Sequence, residues 1–260
     1  MKKATIKITF LGTCACDFSP KLDKELKDKL DCDARRSSSV LLNDNFLIDC
    51  GTHTINSLDI LKIDKTKITD LFITHLHSDH YDIDNIKMLA KNHSIPLNLW
   101  VREDADIPEI LNVNVIKMKS FVRYEVKGAY ITSLLANHDQ DSFPQHFLIE
   151  SNDKKIFYGC DGAWILNPTY YYLKDARLDM AILDCTCGDY VGDYRIAEHN
   201  TIPMIRQLLP SLKSFGIIDD NTKIYLSHLA PSLHKPHSDT VKIAQEFGAY
   251  VAYDGLIQEI

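Results

Sequence analysis

The chain has 260 residues, 45% of them hydrophobic and 25% charged, with a formal net charge of −7 at pH 7. This is the composition of a soluble globular protein able to bury a sizeable core, and no apolar run approaches the ~20 residues of a membrane span. The acidic balance argues against nucleic acid as a main partner, because phosphate backbones call for a basic face. A small anionic substrate stays open, since bound divalent metals would invert the local field.

In chain order, Met1-Lys2-Lys3-Ala4 lacks the apolar core of a signal peptide and leads into an alternating strand at Lys7–Leu11. Residues 20–36 are lysine-rich with acids interleaved, the pattern of a solvated helical insertion. Strands are then expected at Val40–Leu42, Leu71–Ile73, Leu97–Val101, Asn114–Met118, Ala129–Leu134 and Phe147–Glu150, and again at Lys155–Tyr158, Met180–Asp184, Lys223–Leu226 and Tyr250–Tyr253. Ile83, Ile86, Leu89 and Ala90 have helical spacing. A helix near Thr201–Leu209 tolerates Pro203 in its first turn, and one at Ser238–Phe247 stops at Gly248. No Pro/Gly/Ser-rich linker interrupts the order, so residues 1–260 are read as one domain with sheets inside and helices outside. Seven scattered cysteines, an odd number, suit a reducing cytosol and give the expectation of a cytoplasmic protein.

The chemistry concentrates in Thr74-His75-Leu76-His77-Ser78-Asp79-His80, directly after the apolar run Leu71-Phe72-Ile73. A turn anchored to a buried strand lets its ligands converge without bending the core. Imidazoles with a carboxylate fit Zn²⁺, Mn²⁺ or Fe²⁺ better than Ca²⁺ or Mg²⁺. Asp49 closes Phe46-Leu47-Ile48, while His138, Asp161 and His228 each follow a further strand-like segment. Each of these, alone, could be an ordinary turn residue. Together they repeat one architecture, a polar ligand at the end of a buried strand.

The pattern His75-x-His77-x-Asp79-His80, with Asp49, His138, Asp161 and His228 in that order, resembles the signature of the metallo-β-lactamase fold hydrolases. The resemblance implies an α/β fold, the αββα four-layer sandwich, and two divalent transition-metal ions, Zn²⁺ or Mn²⁺. It assigns His75, His77 and His138 to one metal, Asp79, His80 and His228 to the other, and Asp161 to the bridge. Asp49 then orients the ligand loop rather than binding metal.

Glu198-His199-Asn200-Thr201, the Arg35-Arg36-Ser-Ser-Ser stretch and the ending Ala252-Tyr253-Asp254-Gly255 are similar to one branch of that family. This branch is the phosphodiesterases of the bacterial carbon–phosphorus lyase pathway, which open a phosphoribosyl 1,2-cyclic phosphate. The likeness implies attack by a metal-activated hydroxide, with His199 and Asp79 as the catalytic residues and His199 as the general acid. Arg36 is a candidate for gripping a distal phosphate, on equal terms with a solvated turn. Relatives in that branch hold a structural zinc through a compact cysteine cluster. Here Cys14, Cys16, Cys32 and His234 are the residues available for one, and free thiols are the expected state. Carbonyl hydrolases (lactone, thiolester or β-lactam), a tRNA 3′-processing nuclease and a non-catalytic metal-binding module remain as rivals. The expected partner is a small anionic substrate rather than nucleic acid or membrane, and a homodimer is compatible with the sequence.

Overall fold

The computed structural model describes residues 5–91, 93–190 and 192–260. Its strand residues alternate between two apolar environments, the signature of sheets covered on both faces. In chain order the elements are β1 (Lys7–Gly12), β2 (Ser39–Leu42), β3 (Phe46–Ile48), α1 (Thr54–Ile60), β4 (Asp70–Phe72), α2 (Ile83–Ala90), β5 (Leu97–Arg102) and β6 (Val113–Met118). The second half follows with β7 (Arg123–Val126), β8 (Ala129–Leu135), β9 (Gln145–Ser151), β10 (Lys154–Gly159), α3 (Asn167–Tyr172), β11 (Met180–Asp184), α4 (Ile202–Ser214), β12 (Lys223–Ser227), α5 (His237–Gln245), β13 (Ala249–Val251) and β14 (Ile257–Glu259).

One sheet runs β14-β1-β2-β3-β4-β5-β6 and the other β13-β12-β11-β10-β9-β8-β7. Both are built alike. β1, β2 and β3 pair antiparallel before β3, β4, β5 and β6 turn parallel. β8, β9 and β10 pair antiparallel before β10, β11, β12 and β13 turn parallel. Parallel neighbours need crossovers, and α1 to α5 supply five of them.

Between the sheets lies one core, where Ile8, Phe10 and Phe72 meet Phe147, Tyr158 and Ile182. On the outer face of the first sheet, Leu58 of α1 and Ile86 and Leu89 of α2 pack over Leu71 and Leu99. Outside the second sheet, Ile205, Leu208 and Leu212 of α4 pack with Phe157, Ala181 and Leu226. The four layers are therefore helix, sheet, sheet, helix. Among the described residues, no helix is long and apolar enough to cross a membrane.

Two expectations change. Residues 20–36 form turns rather than a helix. Their Leu22, Leu26 and Ala34 bury against Phe18, so this stretch has a small core of its own that the charge pattern hid. Helix α4 runs on to Ser214 past Pro210, because Leu212 is buried by the same stripe that buries Leu208 and Leu209.

Candidate metal centre

Parallel strands bring their carboxyl ends to one edge, and in α/β sheets that edge is where ligands bind. Asp49 stands just beyond β3, His75–His80 beyond β4, Asp161 beyond β10, Asp184 at the end of β11 and His228 beyond β12. Asp49 and His228 sit in the left-handed backbone region, with φ of 63° and 55°. Such conformations cost roughly 1–3 kcal/mol for non-glycine residues and persist only when the surroundings hold them.

On the first sheet, Asp49 is fully buried and organises the loop after β4. Its Oδ1 accepts the Thr74 backbone N–H at 2.7 Å, and the Thr74 hydroxyl lies 2.8 Å from Oδ2. The His80 Nδ1 donates to Oδ2 at 2.7 Å, which leaves Nε2 of that ring aimed at the cluster. Gly51 permits the loop to close, because a Cβ there would stand 1.8 Å from the Asp79 carbonyl oxygen.

Three overlapping sets of ligand-type atoms result, two of them around the histidine loop. His75 Nε2 and His138 Nε2 lie 3.0 and 3.2 Å from His77 Nδ1. His80 Nε2 lies 3.1 Å from His228 Nε2, 3.3 Å from Asp79 Oδ2 and 3.2 Å from Asp161 Oδ2. The atoms within each set are all within 4.8 Å of one another. Asp161 Oδ2 is also 3.6 Å from His75 Nε2, so this carboxylate stands between the two sets.

The donor chemistry fits divalent transition metals. Ring nitrogens that face one another this closely share too few protons to satisfy every lone pair, and a cation is the natural partner for them. The field agrees. Burial opposes a charged His80, yet Asp79 and Asp49 outweigh it and hold that imidazole well above its ordinary range. A site that attracts a proton so strongly attracts a divalent cation by the same Coulomb term. Carboxylates also back the ligands from outside, with Asp139 Oδ2 3.2 Å from His77 Nε2.

The second sheet adds His199, which falls in a third set with Asp161, Asp184 and His228. His199 donates from Nδ1 to Asp184 Oδ2 at 2.9 Å and lies 3.5 Å from Asp161 Oδ1. Burial would push this imidazole down, but Asp184 and Asp161 raise it to about 10. Thr186 joins the group: its hydroxyl contacts Asp184 Oδ2 at 2.9 Å and His228 Nδ1 at 2.8 Å. Asp79, Asp161, His199 and His228 open onto a cavity of about 540 Å³, with Arg195 and Glu198 also on its wall.

The profile of the anti-Pycsar protein Apyc1 family matches residues 37–92, the segment holding Asp49 and the histidine loop. Ribonuclease Z of Methanococcus maripaludis is 28% identical over 156 residues, 54% of this chain and 44% of that enzyme, so the match spans less than half of the relative's length. Across the whole chain, the metallo-β-lactamase fold protein YhfI of Bacillus subtilis superposes with a TM-score of 0.75 at 16% identity, covering 99% of this chain and 100% of YhfI. A diphosphatase of the PhnP family superposes with a TM-score of 0.74 at 19% identity, covering 99% and 98%. The chain has the metallo-β-lactamase fold.

Within this metallo-β-lactamase fold, the eight residues His75, His77, Asp79, His80, His138, Asp161, His228 and Asp49 come together at the strand edge, and His199 joins them. Arg36 does not. Its side chain is completely buried, with Nη2 donating to the Leu26 and Lys29 carbonyls at 2.5 and 3.1 Å. A guanidinium with that many fixed acceptors anchors the 20–36 turns instead of gripping substrate. The arginine on the cavity wall is Arg195. Cys14 is buried, Cys32 half-buried and Cys16 exposed on the cavity wall, while His234 donates Nε2 to the Cys185 carbonyl at 2.7 Å. Among the described residues, no cluster of metal-type ligands includes these four.

Sequence reasoning gave no role to Asp139, Asp184, Thr186, His146 or Arg195. Asp184 had a usable signal, because it closes β11 as Asp49 follows β3. His146 had none; it sits inside β9 and donates Nε2 to the Asp161 backbone carbonyl at 2.7 Å. Burial lowers it to about 4, so it stays neutral while holding the Asp161 turn.

Proposed function

We propose that this chain is a dinuclear metal-dependent hydrolase that opens small cyclic phosphodiesters, with His199 as the proton donor. His75, His77 and His138 would hold one ion, Asp79, His80 and His228 the second, and Asp161 would serve both. Bound there, divalent ions supply a nucleophile at neutral pH and neutralise charge on the phosphate.

The residues of the chain do the rest. Asp49, Thr74 and Asp139 fix the imidazoles, so the ligand positions are set before any ion arrives. Since Nδ1 of His199 is committed to Asp184, the proton it can give is on Nε2. As the phosphorus–oxygen bond breaks, that proton goes to the departing sugar oxygen and prevents a free alkoxide. The Asp184 carboxylate then favours reprotonation of the ring from solvent.

The observation that carries this reading is His199 itself, an imidazole whose Nδ1 donates to Asp184 Oδ2 at 2.9 Å and which lines the cavity beside the ligand cluster. A carbonyl hydrolase has less use for such a group. The likeness to a PhnP-family diphosphatase over almost the full chain supports phosphate chemistry. The test is turnover by Zn²⁺- and Mn²⁺-loaded protein of 5-phosphoribosyl 1,2-cyclic phosphate, a linear p-nitrophenyl phosphodiester, a lactone and nitrocefin. Hydrolysis confined to the lactone or nitrocefin overturns it.

A second reading, cleavage of RNA, is favoured by the local likeness to ribonuclease Z. Adding a precursor tRNA with a 3′ trailer to the same panel separates the two.

A further inference from the structure

Outside the ligand cluster and His199, the charged side chains on the cavity wall are Asp17, Arg195 and Glu198. They decide which further charges a substrate can carry into the cavity. The arginine is already committed. Its Nε and Nη2 donate to the two oxygens of Asp193 at 2.8 Å each, a bidentate pair. The same guanidinium stands 5.4 Å from the centre of the Tyr194 ring, within cation–π reach. Its charge is matched by a carboxylate before any substrate arrives.

The two acids are not matched. Among the described residues, neither Asp17 nor Glu198 forms an ion pair with a lysine, arginine or histidine, and no lysine lines the cavity. Asp17 is held by its Oδ2, which accepts the Ser232 N–H at 2.9 Å. Glu198 is exposed, and its N–H donates to the Arg195 carbonyl at 2.9 Å, directly before His199 in the chain. With Arg195 cancelled by Asp193, the wall outside the ligand cluster is left with the unbalanced charges of Asp17 and Glu198. A cavity of about 540 Å³ has room for more than a phosphodiester group, so the remainder of a substrate meets this wall. The metal-loaded cluster would attract the single negative charge of the diester. A further anionic group would find carboxylates and no free cation.

We propose that Asp17 and Glu198 determine specificity by repelling a second anionic group. The substrate class is then a cyclic phosphodiester whose only negative charge is the scissile phosphate, and the phosphorylated sugar implied by the family branch is the poorer substrate. This rests on the phosphodiesterase reading above.

The experiment compares ribosyl and 5-phosphoribosyl 1,2-cyclic phosphate, which differ only in the second phosphate, on metal-loaded protein. Wild type should favour the ribosyl compound by about tenfold or more in kcat/KM, mainly through KM, as like charges brought together are costly. Asp17→Asn and Glu198→Gln should each narrow that preference by lowering KM for the phosphorylated sugar, and the double variant should narrow it most. Arg195→Gln should widen it, because the substitution leaves Asp193 unmatched. Added salt should narrow it by screening. Equal kcat/KM for the two sugars in wild type, or a preference for the phosphorylated one, overturns the proposal. So does a double variant that changes both sugars equally, since the acids then only support the wall. If wild type turns over neither sugar, the phosphodiesterase reading fails first, and binding decides the proposal separately. By calorimetry on the metal-loaded protein, ribose 1,5-bisphosphate should bind more weakly than ribose 1-phosphate, and the double variant should reduce the gap. Equal or tighter binding of the bisphosphate by wild type overturns the proposal.

Discussion

Asp49 and Asp184 are the same device placed on opposite sheets. Both are fully buried near the end of a strand, and both accept a threonine hydroxyl, a backbone N–H and a histidine Nδ1. Their histidines differ. His80 is fully buried, and its free nitrogen points into the ligand set. The His199 side chain keeps 13% of its surface exposed and lines the cavity. On the proposed reading one carboxylate orients a ligand and the other a proton donor, and the distinction lies in what the second ring nitrogen meets. The same local chemistry would then serve structure on one side and reaction on the other.

The largest effects should come from the residue that both sides share. Stripping the ions with a chelator should abolish turnover, and Asp161→Ala should reduce occupancy of both sites because its carboxylate stands between them. His228→Ala should empty mainly one. Elemental analysis after reconstitution checks this, and equal loss in the two variants removes Asp161 from its bridging position.

Next comes His199. His199→Ala should keep its metals and lose about 10²–10⁴-fold in rate on a ribosyl cyclic phosphate, whose alkoxide needs a proton. On a p-nitrophenyl phosphodiester, whose phenolate departs almost unaided, the loss should be much smaller. Equal losses on both substrates would make His199 a positioning residue and erase the contrast with His80.

How much of this was legible follows from how the ligands are distributed. The first sheet delivers His75, His77, Asp79 and His80 from one seven-residue turn, so a linear sequence displays them side by side. The second sheet delivers His138, Asp161, Asp184, His199 and His228 from four connections, and strand-end position unites all but His199, which comes just before α4. The two long helices announced themselves by apolar stripes. Helix α1 did not, since His53 makes no side-chain cap and its first turn holds no acid. Strand β14 is three residues of mostly exposed surface and carries almost no pattern. Arg36 was misread because two adjacent arginines look solvated, while the buried carbonyls that consume Arg36 come from Leu26 and Lys29 within irregular turns. Such backbone acceptors leave no trace in side-chain order.

Replacing the two carboxylates sharpens the comparison further. Asp49→Asn should weaken metal binding about 10–100-fold, because the amide no longer fixes the His80 tautomer. Asp184→Asn should act mainly on rate, through the loss of the charge that keeps His199 protonated. Competition titration against a chromophoric chelator, read beside kcat, separates these outcomes. Parallel losses of affinity in both variants would mean that Asp184 also works as a ligand support.

The smallest contrast lies in the two threonines. Thr74 donates its hydroxyl to Asp49, but the same carboxylate keeps the Thr74 backbone N–H and the His80 ring when the hydroxyl is gone. Thr186 has more at stake: while its proton goes to Asp184, its oxygen sits 2.8 Å from His228 Nδ1 and 3.0 Å from His199 Nδ1. Accepting the His228 Nδ1–H leaves the lone pair on Nε2, the nitrogen facing His80. Thr74→Val should therefore cost about 1 kcal/mol of stability, the order expected for one lost hydrogen bond, with little change in ion binding. Thr186→Val should cost a similar stability but also release the His228 tautomer, weakening the second ion and lowering the rate about five- to tenfold, since ~1.4 kcal/mol is a factor of ten. Thermal unfolding of the metal-free proteins sets the stability baseline, and titration of the second ion supplies the contrast. If the two valine variants bind that ion equally well, Asp161, 2.6 Å from His228 Nδ1, holds the tautomer instead of Thr186.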